Sequence, residues 1–111
     1  DGRPHIVPIC FVLLGETVYT AVDQKPKRSR RLRRVANLEA TGHASILIDE
    51  YAEDWSRLWW IRLDGPGRLV TDDSEATLAL TTKYPQYGRN PPEGPVLAID
   101  VHRWSSWAAT R

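Results

Sequence analysis

Short apolar, β-branched runs punctuated by turn residues recur along this chain, and two stretches between them read as helices. The run from His5 to Leu14 is apolar, with Pro8 inside it, and Gly15-Glu16 separates it from Thr17-Val18-Tyr19-Thr20-Ala21-Val22. That arrangement predicts a tight hairpin, with Pro8 at a sheet edge or bulge where an amide is not needed by a ladder. Asp1-Gly2 is itself a turn dipeptide and implies a strand before it. Leu32, Val35, Ala36 and Leu38 recur at helical spacing and predict a helix over Arg30 to Ala40, with Ser29 as N-cap and an end near Thr41-Gly42.

Ala44 to Asp49 reads as a buried strand, and Arg57 to Val70 as a long one with Trp59 and Trp60 on opposite faces. Gly65-Pro66-Gly67 predicts a bend or bulge within it. Asp72 to Tyr84 reads as a second helix, capped by Asp72 with Glu75 three residues on. A Pro/Gly-rich loop over Pro85 to Pro95 then leads into the strand Val96 to Val101, and the tail carries Trp104 and Trp107. About five strands, two helices between them and no regular βαβ alternation predict a mainly β fold: an antiparallel, barrel-like sheet with peripheral helices.

Composition narrows the picture. At 111 residues with 41% hydrophobic residues, residues 1–111 suit one domain with one core. Five tryptophans in so short a chain point to an apolar surface that needs a partner. Net charge is only +1, yet KPKRSRRLRR, from Lys25 to Arg34, holds seven of the 15 Lys and Arg, leaving eight against 14 Asp and Glu elsewhere. The positive charge is therefore local. A single cysteine, Cys10, excludes an internal disulfide and fits a reducing, cytoplasmic setting; its apolar neighbours predict a buried, inert thiol. No stretch approaches the roughly 20 apolar residues that span a bilayer.

The search for catalytic groups comes back empty. His5, His43 and His102 are scattered without ligand-spaced partners, which argues against a metal site. The acidic pairs Asp49-Glu50, Glu53-Asp54 and Asp72-Asp73 have the spacing of strand ends and helix caps, and no G-x-S-x-G elbow is present. An enzyme built this way would take its chemistry from a cofactor.

The basic run fits three readings. A solvated helix face would interleave acidic residues at i,i+4, and none comes before Glu39. A nucleic-acid surface would extend over further basic stripes, whereas the remainder is acidic. An anion socket needs Lys and Arg converging at a helix start beside a hydroxyl, as Lys27-Arg28-Ser29 offer. Cations at a helix N-terminus are otherwise unfavourable. The socket ranks first and nucleic acid second.

Several stretches in order, DGRPHIVPI, VYTAV, the K-P-K-R segment, HASILID, DWSRLWWIRLDG, KYPQY and PPEGPVLAIDVHRWSSW, resemble the flavin and deazaflavin oxidoreductase superfamily related to pyridoxamine 5′-phosphate oxidase. Within it the match is to small actinobacterial proteins thought to use the deazaflavin coenzyme F420. The resemblance implies a split β-barrel homodimer with cofactor sites at the dimer interface, and a helix and first strand before Asp1. It implies that Pro8, Ile9 and Cys10, with Val7, lie along the cofactor ring. By the same resemblance Tyr19 and Thr20 precede the phosphate loop, and Lys27, Arg28 and Ser29, with Arg31 or Arg34 behind them, bind the phosphate and tail.

The expected function is therefore hydride transfer between coenzyme F420 and a small conjugated organic substrate. An FMN-dependent oxidoreductase and a non-catalytic cofactor-binding or redox-sensing protein are the alternatives. FMN offers one phosphate, whereas the F420 tail is a flexible polyanion, and seven cations in ten residues suit the longer anion. The tryptophans are expected in the core and the dimer contact, one of Trp59 and Trp60 packing inside and Trp104 and Trp107 extending the surface.

Overall fold

The computed structural model describes residues 4–21, 33–71, 73–90 and 95–110, and the side chains of Arg33 and Arg34 are not described. The Asp1-Gly2 turn, the Ser29 cap and most of the basic run lie outside these residues. Among the described residues the chain order is β1 (Val12–Leu14), β2 (Thr17–Ala21), α1 (Arg33–Thr41), β3 (His43–Glu50), β4 (Trp59–Val70), α2 (Ser74–Lys83), α3 (Pro85–Arg89), β5 (Val96–Asp100) and β6 (Arg103–Ala108). A single 3₁₀ turn, Trp55–Arg57, precedes β4. The antiparallel sheet runs β1-β2-β5-β4-β3, with β6 also on β4.

The hairpin forms where the turn signal places it. Gly15 takes φ +61° while no other residue of the turn is positive, as a turn with glycine at its first central position requires. The first strand is shorter than expected. Only Val12–Leu14 joins the ladder, because Pro8 has no N–H to donate and the chain upstream leaves the sheet.

β4 organises the rest. Its residues 59–66 pair with β3, its residues 59–64 with β6, and Gly67–Val70 with β5. Between the pairs Gly67↔Ile99 and Asp64↔Arg103, β4 advances three residues while its partner advances four. β5 and β6 are thus nearly one strand, interrupted by a bulge at Val101-His102 that bends the sheet into a barrel-like corner. The bulge amides are satisfied: Val101 N–H donates to Glu16 O at 2.8 Å and His102 N–H to Asp64 O at 3.0 Å. The carbonyl of Asp100 lies against the α-carbon of Gly65, where a β-carbon would collide with backbone. Asp100 accepts from Thr17 Oγ1 at 2.8 Å and from Arg68 Nη2 at 3.3 Å, tying β2, β4 and β5 at one corner. The Thr17 hydroxyl, then Arg68, hold its carboxyl below the ordinary carboxylate range.

The core has two parts because β5 is covered on both faces. Val18, Leu97 and Ile99 face the barrel interior with Val35 and Leu38 of α1 and Ile46 of β3. Ala21 and Val96 face the other way, under Ala76 and Leu80 of α2. Each fully buried aliphatic side chain of this kind contributes about 1.5–3 kcal/mol. α2 begins one residue later than its sequence signal. Asp73, not Asp72, is the N-cap, accepting from Ala76 N–H at 2.9 Å, so Glu75 is not at the capping-box position. The expected loop after Tyr84 opens instead with a short helix, since Pro85 at a first helical position lacks only an N–H that is unbonded anyway. The tail is not a loose end but the strand β6.

These contacts make Gly65 the least replaceable residue of the corner. Gly65→Ala is expected to cost about 3 kcal/mol or more, because the neighbour it meets is backbone and cannot rotate away. Urea unfolding of the variant reads this directly, and a midpoint equal to that of the parent would refute the close approach.

Candidate functional site

The segment upstream of β1 is extended chain held by side chains rather than by a ladder. Among the described residues no hydrogen bond engages the N–H groups of Ile6, Val7, Ile9 or Cys10. The carbonyl of Cys10 accepts from Thr20 Oγ1 at 2.7 Å. Phe11 N–H donates to the Tyr84 hydroxyl at 3.0 Å, and that hydroxyl donates in turn to Phe11 O at 3.0 Å. Lys83 Nζ also donates to Phe11 O, at 2.7 Å, and sits 4.0 Å from the centre of the Phe11 ring. Phe11 packs against the barrel core, so its neighbours Ile9 and Cys10 are fixed from below and from the α2 side.

The structure brings some of the expected site residues together. Pro8 is exposed, Ile9 half-buried and Cys10 exposed, in line along this segment. Cys10 is a correction, because its thiol is solvent-accessible rather than buried. Alternation along the extended chain turns Phe11 onto the core and Cys10 away from it. Tyr19 and Thr20 lie on opposite faces of β2: Thr20, 3% exposed, faces the barrel interior, and Tyr19 packs with the α2 cluster. Lys27, Arg28, Ser29 and Arg31 lie outside the described residues, and Arg34 is described only as backbone of α1. The described residues on either side of the basic run are fixed. Ala21, one residue after Thr20, is paired with Val96 and buried, and Val35 and Leu38 anchor α1 in the core. In sequence, the basic run thus falls between Ala21, the residue after the one that holds Cys10, and Val35.

A second concave surface lies on the opposite face of β3 and β4 from the core. The pairs Leu47↔Arg62, Asp49↔Trp60 and Trp60↔Trp107 put these side chains on one face, and with Tyr51 and Leu58 they line an open cleft of about 440 Å³. Leu47 and Trp107 are 64% and 48% exposed. Neither Trp59 nor Trp60 belongs to the core, a correction to the expectation that one packs inside; Trp59 is half-buried and its indole N–H donates to Glu50 at 3.4 Å. Trp104 and Trp107 fall on opposite faces of β6, since three residues separate them along a strand. Both are exposed. Sequence reasoning expected tryptophans at a contact surface but not the strand that carries two of them, because Arg103 to Ala108 has no apolar alternation and its tryptophans stand at odd spacing. Beside the cleft, Ser45 and Arg62 both bond Asp64, and the Ser45 hydroxyl chiefly holds that carboxyl below its ordinary range. Among the described residues no group of three His, Cys, Asp or Glu is placed to hold a metal ion, and no helix is long and apolar enough to cross a membrane.

Comparison with known proteins bears on this arrangement. A family model described as pyridoxamine 5′-phosphate oxidase matches residues 1–108. Among solved structures, the conserved hypothetical protein Rv2991 from Mycobacterium tuberculosis superposes with a TM-score of 0.75 at 15% identity, over 98% of this chain and 71% of that one. At that identity the likeness is one of fold. No curated protein matches the chain in sequence.

The Thr20–Cys10 bond gives a direct test of how the segment is held. Thr20→Val keeps the volume and removes the donor, leaving the Cys10 carbonyl unpaired at a cost of about 1–2 kcal/mol. Thermal unfolding measures the loss; a variant as stable as the parent would show that the bond does not hold the segment.

Proposed function

Because the chain belongs to the pyridoxamine 5′-phosphate oxidase family, we propose that it is an oxidoreductase that binds coenzyme F420 and passes hydride between that coenzyme and a small conjugated organic substrate. Family membership carries the split barrel and an oxidoreductase-type chemistry based on a flavin or deazaflavin. The finer assignment rests on one observation. Seven cations in ten residues, in a chain whose remainder is acidic, lie in sequence between β2, whose Thr20 bonds Cys10, and Val35 of α1. A phosphodiester with a chain of glutamates needs cations over such a length, whereas a single phosphate does not.

The coenzyme, when bound, supplies the hydride donor or acceptor carbon, so the protein's work is placement. The amides of Val7, Ile9 and Cys10, unengaged among the described residues, offer donors to the polar edge of a planar ring. Lys27, Arg28 and Ser29, with Arg31 or Arg34, hold the anionic tail in this reading. Thr20 fixes the segment from behind through the Cys10 carbonyl.

The reading includes a homodimer and a cytoplasmic setting. The face that carries exposed Leu47 and Trp107 and half-buried Trp60 is the surface a second copy would cover, since large apolar residues there otherwise stay in water. The accessible lone thiol of Cys10 suits a reducing compartment.

Titration with coenzyme F420 and with FMN, followed by fluorescence, tests the cofactor: F420 is expected to bind more tightly, and tight FMN binding without an F420 response would overturn the assignment. The double variant Lys27→Ala, Arg28→Ala is expected to weaken F420 binding at least tenfold while unfolding as the parent does. Turnover of reduced F420 with a panel of enones and quinones separates an enzyme from a carrier. For the dimer, Trp107→Glu should shift sedimentation from dimer to monomer, and an unchanged dimer would place the interface elsewhere.

A further inference from the structure

The KYPQY stretch finds a role that neither the basic run nor the cleft accounts for. Tyr84 ends α2, its N–H donating to Leu80 O at 2.9 Å, and Pro85 starts α3 directly after it. Leu80 is fully buried, so the end of α2 is firmly anchored. The Tyr84 ring meets the Tyr87 ring edge-on, with centroids 5.9 Å apart, and Tyr87 N–H donates to Tyr84 O at 3.0 Å. Two helices and two rings thus fix one hydroxyl. That hydroxyl binds both the N–H and the C=O of Phe11, a residue 73 positions away.

In extended chain the N–H and C=O of one residue point to the same side, so they normally face a neighbouring strand. At Phe11, where the chain is about to enter edge strand β1, the Tyr84 hydroxyl takes that neighbour's place. Lys83 adds a third bond to the same residue and a cation over its ring. With Thr20 on Cys10 from the β2 side, the chain is held at two successive residues from two directions.

We infer that Tyr84, assisted by Lys83, is a positioning residue: it sets the line of the Val7–Cys10 segment, and through it the placement of the cofactor ring. The inference rests on the cofactor reading above. The YPQY sequence keeps the hydroxyl in place, Pro85 turning the chain and Tyr87 bracing the ring, so the distance from α2 to the ring-binding segment is fixed before any cofactor arrives. Tyr84 touches no reacting atom. Its effect is on affinity and on the spectrum of the bound ring rather than on the chemistry itself.

The test is Tyr84→Phe, which keeps the aromatic packing and removes both hydroxyl bonds, alongside Lys83→Met. In the free protein, hydrogen exchange of the Phe11 amide should accelerate at least tenfold in Tyr84→Phe; unchanged protection overturns the clamp. In titrations with coenzyme F420 and FMN, whichever the parent binds should bind Tyr84→Phe about tenfold more weakly, its emission maximum moving toward that of the free compound. Lys83→Met should lie between parent and Tyr84→Phe. Faster exchange with unaltered affinity and spectrum would reduce Tyr84 to a structural residue and overturn the positioning role. A parent that binds neither compound overturns the cofactor reading, and this role of Tyr84 with it, while the exchange result still reports on the clamp.

Discussion

One backbone contact governs this fold: the Asp100 carbonyl resting on the α-carbon of Gly65. Only a residue without a side chain lets the two strands come so close, and the closeness permits the extra residue at Val101-His102 to be absorbed without breaking the sheet. β5 and β6 can then follow β4 round a corner, one closing the core over α1 and α2, the other carrying the tryptophan-bearing face. The corner is braced by Thr17 and Arg68 on Asp100 and by the Glu16 carbonyl on Val101. The hairpin turn is therefore coupled to the place where the barrel bends.

Much of this was legible in the chain. The apolar runs on either side of the Gly15-Glu16 dipeptide located the hairpin, and the Gly65-Pro66-Gly67 signal located the bend, because both turn on backbone freedom that the sequence displays directly. What could not be read depended on partners distant in sequence. Cys10 sits in an apolar run yet is exposed, since burial depends on which side the core lies. β6 is polar, with two tryptophans at odd spacing, so its membership of the sheet comes from β4 rather than from its own composition. Helix α2 shifted its cap by one residue because two adjacent aspartates compete for one role, and only geometry decides between them. Of the site, the cationic run and the Val7–Cys10 segment were visible as motifs; Thr20 as their link was visible only by resemblance, and Tyr84 not at all until Phe11 was seen beside it.

The chemistry proposed for this family member asks little of side chains as acids or bases and much of them as fixtures. Polar side chains near the segment spend their hydrogen bonds on backbone: Thr20 on Cys10, and Tyr84 and Lys83 on Phe11. Seven of the 15 Lys and Arg are gathered in one stretch of sequence, Lys25 to Arg34, apart from the Val7–Cys10 segment in the chain.

The residues that flank that basic stretch are held by contacts that ignore its contents. Ala21 is registered by Val96, and α1 is seated through Val35 and Leu38. Both anchors rest on residues outside the basic stretch, so neither depends on its charge. In the reading proposed above, that stretch would grip the anionic tail while Thr20, Tyr84 and Lys83 place the ring, so affinity for the tail and orientation of the ring could change separately.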